Sequence, residues 1–257
     1  MEWKMKKLNI ISAVMAAAAA AAGIFSGVYD EIPWVIWQMK GQDWVSIAAA
    51  AAMIIISMSD KDKYRAAGAG INAYFIYTFF FYALELNLNP LFHLYLAIVL
   101  LSLISIIRTI SDLKKRSNQT ASKGAAVTAS VYLLMIALML SILWNADIIA
   151  SIAGEPILET ASGKPLTIVY VFDIGFVIPA IVYTLYSVLK KTSFSPSLCI
   201  ILLVKCTTMG AALLGMTVGL YFGGLEFQSF LAVLWTALTA AGLISLAVFL
   251  KGSRIGE

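Results

Sequence analysis

The sequence predicts an all-α polytopic membrane protein, a bundle of eight transmembrane helices that forms one domain over residues 1–257. Hydrophobic residues make up 61% of the chain and charged residues 12%, whereas about a quarter of the residues in soluble domains are charged. The apolar residues are also grouped into stretches that can cross a bilayer at about 1.5 Å per residue. These stretches lie at about 8–28, 44–58, 66–85, 91–110, 125–144, 166–189, 197–222 and 228–250.

The first two spans are separated by a polar, tryptophan-containing segment. Leu8–Val28 is long enough to span, so we expect it to remain as a helix rather than be cleaved as a signal peptide. Residues 30–43 are predicted to form a loop, with Trp34, Trp37 and the adjoining Trp44 in the interfacial aromatic belt. Asp43 is then placed to cap the second, alanine-rich helix.

The third span is unusually polar for a transmembrane helix. It contains Asn72, Tyr74, Tyr77 and Tyr82 among phenylalanine and isoleucine residues. Packing is the simpler interpretation of this pattern, and a contribution to a polar cavity is the alternative. The connections predicted after this span are a turn at 87–90, a basic loop at 111–124, an outer loop at 155–165, a tight basic turn at 190–196 and a short link at 223–227.

The distribution of positive charge predicts the orientation of the bundle. With eight spans, 15 of the 18 lysine and arginine residues lie on the side of the termini, two lie on the opposite side, and Lys205 lies inside a span. Cytoplasmic loops of membrane proteins are enriched in lysine and arginine, so both termini are predicted to be cytoplasmic. This topology explains the net charge of +4 without a nucleic-acid partner.

The sequence indicates no cofactor, no metal site and no catalytic residue. The chain has a single histidine, His93, and two cysteines, Cys199 and Cys206, both within the seventh span. Transition-metal and haem sites require clusters of these residues. The two cysteines are interpreted as small apolar residues.

Asp173 in the sixth span and Lys205 in the seventh are the predicted binding residues. A charge near the middle of a bilayer costs at least about 2.5–3.5 kcal/mol, so such residues face the protein interior and find a partner. Helical rise leaves about 7 Å of depth between the two backbones, which a lysine side chain can bridge. Tyr170 and Thr208 are predicted to complete the polar centre, and Pro179 is predicted to kink the sixth span beside Asp173.

Gly215, Gly219 and Gly223 recur every four residues along the seventh span. Small residues at this spacing let helix backbones approach closely. The ridge is therefore predicted to pack against another helix. That helix could belong to a membrane partner or to a second copy of the chain.

Three short stretches carry a resemblance to a set of uncharacterised eight-span integral membrane proteins of bacteria and archaea. The stretches are Gly41-Gln42-Asp43, the segment from Asn89 to Tyr95, and the segment from Tyr170 to Pro179. The resemblance implies eight spans and a prokaryotic cytoplasmic membrane, and it implies no activity.

These observations lead to three functional hypotheses. The first is a membrane protein that binds or transports a small polar solute or ion at Asp173 and Lys205, where the same residues could instead be a structural ion pair. The second is a non-catalytic subunit or receptor that uses the glycine ridge. The third is an enzyme acting on a lipid headgroup, which requires Asp43, Asp147 and Glu155 to converge in one cleft at the outer face.

Overall fold

The computed structural model describes residues 2–115, 119–155 and 167–255. Within these ranges, eight helices are long and apolar enough to cross a membrane, so the prediction of an all-helical chain with eight helices of spanning length is confirmed. Their bounds are α1 (Glu2–Phe25), α2 (Pro33–Ser57), α3 (Asp62–Glu85), α4 (Phe92–Lys114), α5 (Lys123–Ile152), α6 (Thr167–Leu189), α7 (Ser195–Phe222) and α8 (Ser229–Gly252).

Consecutive helices run in alternating directions, which brings both ends of the described chain to one end of the bundle, the terminal end. There, Lys6 near the start of α1 pairs with Asp60 after α2 at 2.7 Å. Arg65 at the start of α3 pairs with Asp112 near the end of α4 at 3.1 Å. At the opposite end, the backbone amide of Asn87 donates to the Glu31 carboxylate at 2.6 Å. This bond joins the α3–α4 connection to the α1–α2 connection.

Helix α2 begins well before the predicted span, and this corrects the sequence prediction. The segment 30–43 is not a loop: the helix starts at Pro33, a residue suited to the first helical turn, and Trp34 and Trp37 are helical. Asp43 is not a cap but lies fully buried inside the helix. The polar residues that suggested a loop are accommodated by tertiary hydrogen bonds, which a linear pattern does not display.

The predicted basic loop at 111–124 is shorter than expected, and its described part contains a strand. Helix α4 extends to Lys114, and strand β1 (Thr120–Ala121) pairs antiparallel with strand β2 (Ser253–Arg254). Ser122 then caps α5 by accepting from the amide of Ala125. Of the predicted outer loop at 155–165, only Glu155 belongs to the described residues.

Helices α3 and α7 form the centre of the bundle. In each, 61% of the apolar stretch is buried, against 22–44% in the other six helices. Helix α3 packs against α4, α7 and α2, while α7 also packs against α2 and α8. The side chains of α3 and α7 are therefore the most deeply buried in the bundle.

The glycine ridge of α7 packs against α2 of the same chain. A Cβ atom at Gly215 would lie 2.6 Å from the carbonyl oxygen of Gly41, and one at Gly219 would lie closer still to that of Trp37. At Gly223 the added atom would overlap the ring of Trp37. Only glycine allows the two backbones to come this close.

We expect Gly219→Ala to lower the free energy of unfolding by about 1–3 kcal/mol, the usual cost of inserting a methyl group into a tightly packed contact. The added Cβ atom meets a backbone oxygen of Trp37, which cannot move without displacing α2. The measurement is reversible unfolding of the purified protein in detergent.

Gly124→Ala is the matched control, because nothing lies within 4 Å of a Cβ atom at that helical position. It should be neutral or slightly stabilising, since alanine is favoured over glycine in helices. Equal losses in the two variants would contradict the close contact between α2 and α7.

Candidate functional site

Helix α6 is interrupted by a π-helical turn that begins at Asp173. The turn spans Asp173–Val177, and the amide of Ile178 bonds to the carbonyl oxygen of Asp173, five residues earlier. Pro179 follows and has no amide to donate, so one carbonyl of this turn has no helical donor. The irregular turn lies where the sequence predicts a kink, and single π-helical turns are common at functional sites.

The Asp173 carboxylate is buried, with 5% of the residue exposed. The indole of Trp144 on α5 donates to its Oδ2 at 2.8 Å. The hydroxyl of Tyr77 on α3 also interacts with the carboxylate. Phe172 packs against the Tyr77 ring with a centroid distance of 5.2 Å, which fixes α6 against α3 beside the site. The direct partners of this acid are therefore neutral donors.

Lys205 on α7 is equally buried, with 6% of the residue exposed. Its Nζ lies 4.6 Å from the centroid of the Tyr77 ring, a cation–π contact. Lys205 acts electrostatically on Asp173. Within the described residues, however, no ion pair of 4.0 Å or less joins the two side chains. The two predicted binding residues are thus brought together with Tyr77 as their shared neighbour.

Tyr170 and Thr208, the other two predicted site residues, have partners of their own. The Tyr170 hydroxyl donates to Asp147, and its ring lies 5.3 Å from that of Trp144. Tyr170 therefore supports the indole that donates to Asp173. The Thr208 hydroxyl donates to the carbonyl oxygen of Val204 at 2.8 Å, within its own helix.

A second buried acid, Asp43, forms a site that the sequence did not indicate. It is fully buried and accepts from the hydroxyl of Tyr29 at 2.6 Å and from that of Tyr82 at 3.1 Å. No lysine, arginine or histidine in the described ranges forms an ion pair with it. Burial, and then the neighbouring carboxylate, raise the pKa of Tyr29 in the α1–α2 connection, so this hydroxyl keeps its proton.

The same face of α3 contributes further hydrogen bonds to α2. The amide of Gln42 donates to Thr78 at 3.1 Å, and Ser46 bonds to Tyr74 at 2.9 Å. The spacing of residues 74, 78 and 82 places them on one helical face. This polar face of α3, together with Gln42 and Asp43 on α2, was the sequence signal that could have identified the Asp43 site.

The third-span asparagine belongs to a separate buried network near the terminal end. The Asn72 amide donates to Asn9 on α1 at 2.9 Å and to Ser105 on α4 at 3.1 Å. Ser12 in turn donates to Asn72 at 3.2 Å. These bonds join α1, α3 and α4, so Asn72 does not contribute to the centre around Asp173.

The structure also bears on the two alternative hypotheses. The glycine ridge of α7 is covered by α2, so a partner helix would have to use a different surface. The three acids required by an enzyme have different surroundings: Asp43 is buried between α2 and α3, Asp147 accepts from Tyr170, and Glu155 is exposed after α5. In the described part of the chain, no group of three or more histidine, cysteine or acidic residues could hold a metal ion.

No protein-family description, curated protein or solved structure matches this chain. The class of protein is therefore defined by the fold alone, as an all-helical chain with eight helices of membrane-spanning length. What it does has to be inferred from the side chains inside the bundle.

We expect Tyr29→Phe to lower the free energy of unfolding by about 1–3 kcal/mol, because one oxygen of a buried carboxylate loses its hydrogen bond. The loss should be smaller when Tyr29→Phe is made in an Asp43→Asn background, since a neutral amide oxygen is less costly to leave unpaired. The measurement is a double-mutant cycle in detergent.

Tyr221→Phe is the control for removing a hydroxyl, because Tyr221 is an exposed residue. It should change stability by no more than about 0.5 kcal/mol, as is usual for exposed positions. The same loss for Tyr29→Phe in the wild-type and Asp43→Asn backgrounds would show that the hydroxyl does not serve the carboxylate.

Proposed function

We propose that this chain is a multi-pass protein of the prokaryotic cytoplasmic membrane that binds or transports a small polar solute or ion at Asp173 and Lys205. In this proposal both termini are cytoplasmic, and the bilayer surrounds the apolar faces of the eight helices. The observation that carries the proposal is that the two residues are buried on either side of Tyr77, which contacts both, without a direct ion pair between them.

The partners of the two charges support a binding role over a purely structural one. A buried ion pair offsets its desolvation cost only when its geometry is close and its remaining hydrogen bonds are satisfied. Asp173 instead accepts from the Trp144 indole, and Lys205 faces the ring of Tyr77. A solute can take the place of such neutral partners without breaking a direct bond between opposite charges.

The local backbone of α6 supports the same proposal. The π-helical turn widens the helix at Asp173, and Pro179 leaves one carbonyl free to accept. Interrupted helices near the middle of the membrane recur at the binding sites of transporters, where free backbone groups contact the solute or ion. The turn also provides a position at which α6 could bend between two states.

The proposed orientation is supported by the charges at the ends of the helices. Many of the described cations lie at the terminal end. Lys6 is near the start of α1, and Lys61, Lys63 and Arg65 are at the start of α3. Glu31 and Glu155 lie at the opposite end. Enrichment of lysine and arginine at one end is the usual mark of the cytoplasmic side.

A double-mutant cycle on Asp173→Asn and Lys205→Met separates a binding site from a structural ion pair. We expect both single variants to fold and the coupling energy to stay below about 1 kcal/mol, because the two groups make no direct bond. A structural pair would instead lose about 3–5 kcal/mol in each single variant and recover in the double variant.

Arg65→Met with Asp112→Asn provides the control cycle, since these side chains are in direct contact at 3.1 Å. This cycle should show a clear coupling energy under the same conditions. If the Asp173–Lys205 cycle matched or exceeded it, the two charges would exist chiefly for each other, which would contradict the proposal.

Binding itself is tested by thermal unfolding in the presence of sodium, potassium, ammonium, chloride, acetate and glutamate as probes. A probe at about 100 times its dissociation constant stabilises the folded state by about 2.7 kcal/mol. We expect at least one probe to raise the melting temperature of the wild type by several degrees, and Asp173→Asn or Lys205→Met to abolish that shift.

Asp60→Asn is the control acid for this experiment, because Asp60 pairs with Lys6 at the terminal end and has no part in the centre around Asp173. It should retain the shift. A shift that persisted in Asp173→Asn and Lys205→Met would place the bound probe elsewhere in the molecule.

A further inference from the structure

A cleft of about 340 Å³ lies at the terminal end of the bundle, between the start of α3 and the end of α8. Its lining contains three cations and no acid. The lining residues are Lys63, Tyr64, Leu250, Lys251, Ser253 and Arg254. The cleft is remote in sequence from Asp173 and belongs to neither buried acid site.

The three cations of the cleft have no ion-pair partner among the described residues. The nearby acids are already paired: Asp60 with Lys6, and both Asp62 and Asp112 with Arg65. Because these pairs occupy the acids that could neutralise the cleft, Lys63, Lys251 and Arg254 leave it with a concentrated positive charge.

A buried serine with an unpaired hydroxyl is among the residues that line the cleft. Ser253 is 6% exposed, and its Oγ has no hydrogen-bond partner in the described part of the chain. Buried hydroxyls are normally hydrogen-bonded, so an unpaired one that lines a cleft indicates a missing acceptor or donor. A hydroxyl beside three cations suits an anionic oxygen acceptor.

Residues 252–255, which follow α8 or end it, are held in place by contacts with the α4–α5 connection. Arg254 pairs with Thr120 across the β1–β2 ladder, and the amide of Ser122 donates to the carbonyl oxygen of Gly252 at 2.8 Å. Ile255, just beyond, is buried. The ladder thereby turns Ser253 inward and keeps Arg254 exposed beside Lys251.

We infer that this cleft binds the phosphate group of an anionic phospholipid. Phosphate oxygens accept charge-assisted hydrogen bonds from lysine and arginine, and a serine hydroxyl adds a neutral donor. The cleft lies beside the first turn of α3 and the last turn of α8, and Leu250 forms part of its wall. In a bilayer this is the level of the headgroups, and basic pockets there bind anionic headgroups.

The inference rests on membrane insertion, which is part of the proposed function, but not on Asp173 or Lys205. Variants at those two residues should leave lipid binding unchanged, so failure of one proposal does not carry over to the other. The source of the phosphate is a lipid and not the free ion, because the cleft borders the apolar surface of α8.

The test is titration of the purified full chain with short-chain phosphatidylglycerol, followed by native mass spectrometry. Short-chain phosphatidylcholine and inorganic phosphate are titrated in parallel at the same ionic strength. We expect phosphatidylglycerol to bind most tightly, and Lys251→Gln with Arg254→Gln to weaken it about tenfold or more, as for loss of charged hydrogen bonds.

Ser253→Ala provides a second variant that leaves the charge unchanged. It should weaken phosphatidylglycerol binding about fivefold, the usual size of a neutral hydrogen bond. Lys190→Gln with Lys191→Gln is the matched control, because it removes two exposed cations from the connection between α6 and α7 at the same end. This control should bind phosphatidylglycerol as the wild type does.

Three outcomes would overturn the inference. Equal weakening in the 251/254 and 190/191 double variants would show a general surface charge effect. Equal binding of phosphatidylglycerol and phosphatidylcholine would remove the role of the anionic headgroup. Tight binding of inorganic phosphate without a preference for phosphatidylglycerol would overturn the assignment to a lipid.

Discussion

The fold depends on one constraint: the acidic and amide side chains buried among these apolar helices have to find partners inside the bundle, because an unpaired polar group in an apolar environment is costly. Helix α3 supplies most of those partners. Its polar residues contact partners on several neighbouring helices along its length. These residues are Asn72, Tyr74, Tyr77, Thr78 and Tyr82. Helix α3 is central for this reason, and α2 can continue as a helix through Gln42 and Asp43 because α3 accepts and donates their hydrogen bonds.

Two buried acids are thereby placed in different chemical settings. Asp43 is enclosed by two tyrosine hydroxyls beside Gly23 of α1, with no described cation paired to it. Asp173 lies at an irregular turn, near a lysine that it does not directly bond. A sealed and satisfied acid suits a structural or proton-holding role, whereas an acid with neutral partners beside a buried cation suits the exchange of ligands.

Tyr77 has a particular position in this arrangement. Its ring faces the Lys205 ammonium and its hydroxyl interacts with Asp173, so one residue of the central helix contacts both charges. Trp144 completes the enclosure from α5, and the ring of Tyr170 packs beside it at a tilt. In the proposed function, a solute bound at this centre would therefore contact or displace side chains of α3, α5, α6 and α7. Binding there could change the packing of all four helices.

The sequence by itself determined the class of fold and the approximate positions of the helices, apart from the start of α2, because long apolar stretches separated by polar connections can form little else in a bilayer. It also singled out Asp173, Lys205 and the irregularity at Pro179, since a charge or a proline inside such a stretch stands out against its neighbours. Only the tertiary structure decided which residues meet. It showed that Asp43 lies inside a helix rather than at its cap, that the glycine ridge serves α2 of the same chain, and that Tyr77 lies at the centre. The physical reason is that a linear pattern records how apolar each residue is, whereas a partner for a buried polar group comes from a distant helix and exists only once the bundle has formed.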